Sequence, residues 1–327
     1  GRYDESTEMW NRALQLNANC DLAYTGIGRA LLRQDRFREA MDNFRLGSNR
    51  RDYSEALSLH RREVIEANFG YLVAVLLVLA VGFFVWRRVR QIQRERYPQI
   101  AVTQHPFFDT ANTSWRARVW RTLQSLRYAL YVVFHPFDGF WDLKHERRGT
   151  MPAAAILLAL VTATYVFVRQ YTGFTFNPRD LTKLNILIEA ASILVPFILW
   201  SMVNWALTTL MEGKGTFRQI FIASAFALTP LILVYIPATV ISNYIILEEG
   251  ALYYFLMSLG TVWALGLLFF GTMVTHDYDG LKTVATSGLT LVGMGVILFL
   301  SVLFFSLADQ FFSFVGAIYT EIVFRLS

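Results

Sequence analysis

The chain has 327 residues, of which 54% are hydrophobic and only 17% are charged, against about 25% charged in soluble globular proteins. Residues 152–327 carry 7 basic and 9 acidic side chains, whereas the much shorter range 1–68 carries 11 of each. The range 152–327 therefore excludes a water-soluble protein, and its hydrophobicity excludes disorder. The single cysteine, Cys20, excludes a disulfide scaffold and every multi-cysteine metal site.

Residues 1–51 show a helical repeat. Its large and small side chains fall at Tyr24, Gly28, Leu31, Phe37, Ala40 and Phe44, and a shift of 34 residues back from Phe37 and Phe44 reaches Tyr3 and Trp10. This spacing resembles the tetratricopeptide repeat. The resemblance implies pairs of antiparallel helices and a groove for a protein partner. The six positions from Tyr24 to Phe44 named above are therefore a candidate partner-binding repeat. The alternative is a spacer stacked on further upstream repeats, since we expect the chain to be part of a longer protein.

A connecting helix and the first membrane span are predicted for residues 52–96. Residues 69–86 form an uncharged apolar run of 18 residues, long enough to cross a bilayer core. The range 87–151 that follows carries 12 basic and 5 acidic residues. Basic residues close to a span end stay in the cytoplasm. This rule predicts a cytoplasmic segment over 97–151 and an extracytoplasmic location for the repeats.

An amphipathic helix is predicted at 114–134 within the basic segment. Its tryptophans and aliphatic residues lie along one side, and its arginines lie mostly on the other sides. This pattern is typical of cationic helices that lie in the membrane interface. The predicted lipid-contacting residues are Trp115, Arg116, Trp120, Arg121 and Arg127. Anionic lipids are the expected partner of these arginines. Nucleic acid is not, because no recognised nucleic-acid-binding fold accompanies the basic patch.

Five further spans are predicted in the range 152–309. They are drawn at about 152–171, 186–210, 220–242, 252–275 and 288–308. With the span at 69–86 the total is six, so the predicted fold class is an all-α polytopic membrane bundle preceded by a helical repeat. The last range, 310–327, is predicted to form a separate interfacial helix on the outer surface.

Few polar residues fall inside these spans. Ser201, Asn204 and Thr208 share one helix face, which indicates either a polar path or hydrogen bonds to adjacent helices. Glu189 lies about one turn into its span, where a carboxylate is costly unless it is paired or hydrated. It is a candidate functional group or an interfacial residue. A stripe of small residues for close helix packing is predicted at Gly260, Ala264 and Gly271.

Two stretches resemble the Yip family of membrane proteins, the Ypt/Rab-interacting type, in its bacterial branch. They are HPFDGFWDLKHERRGTMPAAAILL at 135–158 and NWALTTLMEGKGTFRQIFIASAFALTPLILVYIP at 204–237. The resemblance covers about 135–310 and implies a five-span membrane domain. Eukaryotic members are implicated in vesicle traffic and small-GTPase binding with a cytosolic N-terminus. The repeats of this chain are instead predicted outside the cytoplasm, which puts a GTPase role in doubt.

Motifs for catalysis or cofactor binding are absent from the sequence. No GxxxxGK[ST], GxSxG, HExxH or paired CxxC occurs, and the EGKGT turn at 212–216 is too short to cradle a phosphate. His276, Asp277 and Asp279 have ligand chemistry suited to a divalent cation, but a helix cap explains the same residues. We therefore predict no catalytic, cofactor-binding or metal-binding residue, and no enzyme activity.

The function predicted from these features is a non-enzymatic adaptor or scaffold in the bacterial cytoplasmic membrane. It would be an accessory subunit of a membrane transport complex, such as a solute importer of the ABC type, and would contact other integral membrane proteins. One alternative is a transporter or channel in its own right. Another is a membrane-shaping or trafficking protein that acts through the cationic helix.

Overall fold

The computed structural model describes residues 2–96, 114–178, 184–208 and 210–326. Within these ranges the chain is helical and contains no strand, which confirms the all-α prediction. The helices are α1 Tyr3–Leu16, α2 Asp21–Leu32, α3 Phe37–Leu46, α4 Arg50–Arg96, α5 Trp115–Phe134, α6 Pro136–His145, α7 Met151–Tyr171, α8 Ile186–Ala206, α9 Phe217–Ala227, α10 Thr229–Ile241, α11 Gly250–His276 and α12 Gly280–Leu326.

The chain divides into two compact units. The first consists of 1–109, 166–184 and 233–260, and the second of 110–165, 185–232 and 261–327. The first unit therefore contains the N-terminal helices together with the ends of α7 and α10 and the start of α11. The second contains α5, α6, α8, α9 and α12, together with most of α7 and α11 and the start of α10.

Helices α1 to α4 pack in sequence around an apolar core in the first unit. The buried residues of this core are Ile27, Leu31, Ala40, Phe44, Tyr53, Ala56 and Leu57. Gly28 allows α3 to approach α2, because a Cβ atom at this position would overlap the ring of Phe44. Gly26 does the same for α1, since a Cβ there would overlap the ring of Trp10. Trp10 and Phe44 are 34 residues apart, so the repeated spacing has a packing cause; membership of the tetratricopeptide family stays a prediction.

The same four helices contact two connecting segments of the first unit, the one that follows α7 and the one that precedes α11. Both terminal nitrogens of Arg61 donate to the carboxylate of Glu249, at 2.6 and 2.8 Å. The ring of Tyr53 meets that of Phe174 edge-on, with centroids 4.9 Å apart. An ion pair and an aromatic contact therefore hold the N-terminal helices against these segments.

Five stretches of the described residues are long and apolar enough to cross a membrane. They are Met151–Tyr171, Ile186–Ala206, Phe217–Ile241, Leu247–His276 and Gly280–Arg325. The third consists of α9 and α10, which are interrupted at Leu228. A sixth span is possible in α4, where the parts Arg50–Tyr71 and Val73–Val89 meet at 56° beside Gly70, a residue type common at helix kinks.

The separate C-terminal helix predicted for 310–327 is not present. Helix α12 runs without a break through Asp309 to Leu326. The reason is that no proline follows Gly280, and single glycines such as Gly316 weaken a helix without ending it. At 1.5 Å per residue the 47 residues of α12 extend about 70 Å, more than twice the thickness of a bilayer core.

Helices α5 and α6 form an antiparallel hairpin that packs into the core of the second unit. Val132 lies against Gly139, where a Cβ atom would contact the Val132 backbone at 2.8 Å. At the tip of the hairpin, the indole N–H of Trp263 donates to the carbonyl of Val133 at 3.3 Å. Phe134 also meets the Trp263 ring edge-on, at 5.6 Å between centroids.

The hairpin tip lies deep along α11. Trp263 precedes His276, the last residue of α11, by 13 residues, or about 20 Å of helix. Half of a bilayer core is about 15 Å. That 114–134 lies in the interface stays a prediction, but the C-terminal half of α5 has a buried face besides its exposed one. This half buries Tyr128, Ala129, Val132 and Val133 in the core of the second unit, because the apolar positions recur on the face opposite Trp120.

Labels placed along α5 will test this depth. In a Cys20→Ser background, a fluorophore attached after Phe134→Cys should be quenched most strongly by lipids that carry a nitroxide near the chain end. A fluorophore attached after Trp115→Cys, at the other end of the same helix, should be quenched most strongly by a headgroup nitroxide. Equal headgroup quenching at both positions would contradict the inserted hairpin.

Candidate functional site

A buried polar centre joins three helices and one turn of the second unit. We define it as Asn204 near the end of α8, Gly213 and Gly215 in the turn before α9, His276 at the end of α11, and Thr290 in α12. The side chains of Asn204, His276 and Thr290 are at most 1% exposed. Buried polar groups are costly unless they are hydrogen-bonded, so the partners of these side chains decide what the centre can do.

The polar centre is a continuous chain of hydrogen bonds. The backbone N–H of Gly215 donates to Nδ1 of His276 at 3.4 Å, and Nε2 of His276 lies 2.8 Å from Oδ1 of Asn204. The amide nitrogen of Asn204 donates to the hydroxyl of Thr290 at 3.4 Å. That hydroxyl donates to the carbonyl of Thr286, one turn earlier, at 2.8 Å.

These contacts fix the protonation of His276. Because Nδ1 accepts from a backbone N–H, it carries no proton. Because Oδ1 of Asn204 can only accept, the proton lies on Nε2. The imidazole is therefore neutral, with both nitrogens engaged. The space enclosed by Asn204, Thr272 and His276 is too small for a water molecule. Among the described residues, this arrangement links the helices and leaves neither ring nitrogen of His276 free to act as a base.

Glycine is required in the turn that meets His276. A Cβ atom at Gly213 would overlap Nδ1 of His276 and the hydroxyl of Tyr278, and one at Gly215 would lie 2.9 Å from Cε1 of His276. The rings of His276 and Tyr278 are stacked, with centroids 5.0 Å apart. The EGKGT turn is thus a close-packed lid over the imidazole, and it does not form a phosphate loop.

An ion pair flanks the polar centre just beyond the end of α11. Lys144 of α6 donates to the carboxylate of Asp277 at 2.6 Å and to the carbonyl of Val274 at 3.1 Å. Lys214 lies 3.6 Å from the same carboxylate. The hydrogen bond from Lys144 lowers the pKa of Asp277 below its ordinary value, with smaller contributions from both lysine charges. Asp277 and His276 therefore have different partners and do not converge on a cation.

Of the three polar residues predicted to share one face of this span, Ser201 and Asn204 lie in α8, whereas Thr208 lies in the turn after α8 ends at Ala206. Ser201 and Asn204 are buried, and Thr208 is half-buried and donates to the carbonyl of Asn204 at 3.3 Å. On α12 the fully buried threonines Thr283, Thr286 and Thr290 form a matching row. The interpretation of hydrogen bonds between adjacent helices fits Asn204. The hydroxyl of Ser201 has no partner among the described residues.

Glu189 does not join the polar centre. It lies half-buried in the first turn of α8, and its carbonyl accepts from the hydroxyl of Ser192 at 2.7 Å. A carboxylate in the first turn is stabilised by the helix dipole. The interfacial interpretation of Glu189 therefore agrees with its position.

The predicted small residues of α11 allow close contacts in each unit. In the first unit, a Cβ at Gly260 would lie 3.0 Å from the ring of Tyr235 in α10. In the second unit, a Cβ at Gly271 would lie 3.0 Å from the ring of Phe140 in α6, and Ala264 is buried. The small residues of α11 thus allow close packing against α10 in the first unit and against α6 in the second.

The six residues predicted for partner binding in the repeat mostly build its interior. Gly28, Leu31, Ala40 and Phe44 are buried, while Tyr24 and Phe37 are half-buried. Burial excludes the first four from direct contact with a partner. The accessible feature is instead a groove of about 390 Å³ on the N-terminal helices. Its lining comprises Tyr3, Ser6, Trp10, Gly26, Arg29, Ala30, Leu32, Arg33, Asp52 and Glu55.

The predicted lipid-contacting residues lie on α5 outside the packed part of the hairpin. Trp115 and Trp120 are 65% and 63% exposed. Arg116 and Arg127 are exposed, and Arg121 is half-buried. These five side chains are therefore available to a membrane surface at the N-terminal end of the hairpin.

The sequence did not single out Gly213, Gly215 and His276 as one centre. The available signal was the pair of glycines two residues apart in a short turn, together with a histidine at a span end. No spacing rule connects residues 61 positions apart, and a lone histidine beside two aspartates indicates a cation site as readily as a helix lock. Only the packing of α8, α9 and α11 brings these groups together.

The fold and the polar centre define a multi-pass helical membrane protein. A comparison with protein families matches the Yip1 domain to residues 130–303, more than half of the chain. The chain belongs to the Yip1 family. Comparisons with curated proteins and with solved structures found no match.

The hydrogen bonds of the polar centre predict a stability difference between two neighbouring substitutions. Asn204→Leu should lower the free energy of unfolding by about 1–2 kcal/mol, because it leaves His276 and Thr290 without their interhelical partner. Thr208→Val, whose hydroxyl donates only to the nearby carbonyl of Asn204, should change it by less than about 0.5 kcal/mol. Thermal unfolding in detergent measures both. An Asn204→Leu protein as stable as the Thr208→Val protein would refute the role of the centre.

The ion pair beside the polar centre predicts a pH dependence. The lowered pKa of Asp277 means that its contribution to stability is complete above the ordinary aspartate value of about 3.8 and is lost as the pH falls further. Melting temperatures of the wild type and of Lys144→Met should therefore differ by a constant amount at pH 5 to 8 and converge below about pH 4. A difference that vanishes already at pH 6 would show that Asp277 is not the responsible group.

Proposed function

We propose that this protein is a non-enzymatic scaffold of the bacterial cytoplasmic membrane. Its N-terminal helices would hold a protein partner outside the cytoplasm, and its membrane bundle would contact other integral membrane proteins. The partner we favour is a transport complex, such as a solute importer of the ABC type. The protein would be an accessory subunit of that complex without catalytic or cofactor-binding residues.

The observation that carries this proposal is the closed polar centre. A conducting bundle needs polar side chains that remain available to a solute or an ion. Here Asn204, His276 and Thr290 bind one another, and the space around them does not admit water. This supports a scaffold over the alternative of a transporter or channel.

A second support is the attachment of the N-terminal helices within the first unit. Besides the Arg61–Glu249 pair, the backbone N–H of Leu247 donates to the hydroxyl of Ser54 at 2.8 Å, and Arg50 donates to the carbonyl of Asn177 at 3.3 Å. Three independent polar contacts hold these helices to the connecting segments. A scaffold whose N-terminal helices bind a partner needs such a connection between those helices and the membrane spans.

The predicted sidedness is consistent with these contacts. The segments that follow α7 and precede α11 both lie at the opposite ends of their spans from the basic region before α7. If the basic region is cytoplasmic, these two segments lie outside the cytoplasm, where the repeats are also predicted. The positive-inside rule assigns the basic region to the cytoplasm. Contact between the N-terminal helices and these two segments supports an extracytoplasmic location for the helices.

The partner would bind in the groove of the N-terminal helices. Arg29 and Arg33 of α2 line one part of it, and Asp52 and Glu55 of α4 line another. Arg29 and Asp52 already form an ion pair at 2.6 Å. This leaves Arg33 and Glu55 as the groove charges to be tested against a partner.

Co-purification with a charge reversal tests the proposal. After gentle detergent extraction, a partner retained by the wild type should be reduced about tenfold or more by Arg33→Glu, since like charges across an interface cost several kcal/mol. Arg38→Glu, an exposed residue of α3 outside the groove, is the matched control and should retain the partner. The purified chain alone should move no solute across liposomes. Solute transport by the chain alone, or undiminished retention by Arg33→Glu, would contradict the scaffold.

A further inference from the structure

The α5–α6 hairpin enters and leaves the second unit on one side. At the entry, the backbone N–H of Thr150, just before α7 begins, donates to the hydroxyl of Ser125 at 3.1 Å. At the exit, Lys144 bonds Asp277, just after α11 ends. The start of α7 and the end of α11, which these two bonds reach, are both ends of membrane spans. The residues between Ser125 and Lys144 therefore lie below one membrane surface. We call the leaflet on that side the entry leaflet.

The hairpin turns back near the middle of the bilayer. Phe134, the last residue of α5, lies against Trp263. In α6, Phe137 lies 4.7 Å from the Phe270 ring, and Lys144 reaches the carbonyl of Val274. The contacts of α6 thus step along α11 back towards its end. Because the turn is about as deep as one leaflet is thick, the hairpin occupies the entry leaflet and contributes no area to the opposite one.

The outer face of the hairpin is suited to contact with lipid chains. Phe134, Phe137 and Trp141 are each more than half exposed, although they lie below the level of Ser125. Nearer the surface, Arg116 and Arg118 are exposed on α5. The apolar tip of the hairpin suits the hydrocarbon of the entry leaflet, and the arginines at its membrane-surface end, here called its mouth, suit anionic headgroups.

We propose that the α5–α6 hairpin is a leaflet-specific wedge that couples this protein to membrane curvature. Two helices, each about 10 Å across, displace on the order of 150 Å² of lipid from the entry leaflet alone. Extra area in one leaflet favours bending in which that leaflet is convex. The protein therefore accumulates where the entry leaflet lies on the outside of a curve, with anionic phospholipid at the mouth of the hairpin. This function is independent of the proposed scaffold, since it requires a lipid surface and no protein partner.

Sorting between flat and tubular membrane tests the wedge. The full chain, with Cys20→Ser and a fluorophore attached after Val119→Cys, an exposed position of α5, is reconstituted into giant vesicles of phosphatidylcholine and phosphatidylglycerol, from which a narrow tube is pulled outwards. A membrane-impermeant quencher distinguishes molecules with the hairpin in the outer leaflet from those with it in the inner leaflet. Molecules with the hairpin outside should be enriched on the tube about twofold or more, and those with it inside should be depleted.

Variants of the hairpin tip extend this test. The double substitution Phe134→Glu with Phe137→Glu should lift the tip and reduce the enrichment towards one, because carboxylates are unfavourable at mid-bilayer depth. Phe134→Leu with Phe137→Leu keeps the tip apolar and should sort like the parent protein. Equal sorting of the two orientations of the parent protein would overturn the wedge, even if the glutamate variant fails to fold. Undiminished enrichment of a folded glutamate variant would also overturn it.

Discussion

The hydrogen bond between His276 and Asn204 is the contact on which the membrane bundle depends most. Neither side chain can leave its polar atoms unpaired in the buried polar centre, and each supplies what the other lacks, a donor at Nε2 and an acceptor at Oδ1. The bond joins the end of α11 to α8. The turn before α9 is added through Gly215, and α12 is added through Thr290. The neutral imidazole of His276 and the amide of Asn204 together thereby fix three connections, with a directionality that apolar packing lacks.

The same hydrogen bonds are the reason for proposing a scaffold and not a conducting bundle. Each polar side chain of the centre is used by another, and the surrounding volume excludes water. In the first unit the N-terminal helices are held by charge and aromatic contacts at Glu249 and Phe174, which are specific in geometry. The family assignment rests on residues 130–303 and says which fold this is. The scaffold function is our proposal, and these contacts are its support.

Much of this architecture could be predicted from the sequence because it depends on composition and spacing. The apolar runs predict the spans, and the 34-residue interval between Trp10 and Phe44 predicts the packing of the N-terminal helices. Motifs at 135–158 and 204–237 predict the family. The polar row on α8 is visible as helical periodicity, although its partners on α12 are threonines that no hydropathy pattern singles out.

The polar centre and the depth of α5 could not be predicted from the sequence, because both depend on contacts between residues far apart in the chain. The pairing of Asn204 with His276 joins residues 72 positions apart. Glu212 and Asp277, which flank the polar centre, adopt left-handed backbone conformations at φ 53° and 58°, unusual for residues other than glycine. The amphipathic pattern of α5 is the same whether the helix lies on a membrane or packs into a bundle. Its depth is decided by Trp263 and Gly139, which belong to other elements.

The protonation state of His276 tests the central claim most directly. Nitrogen NMR of the protein with labelled histidine, in lipid bilayers at pH 7, distinguishes the two neutral tautomers from the doubly protonated ring. Comparison with His276→Gln assigns the signal among the five histidines. The account predicts a neutral ring with its proton on Nε2. A proton on Nδ1, or a positively charged ring, would contradict the chain of hydrogen bonds and with it the closed bundle.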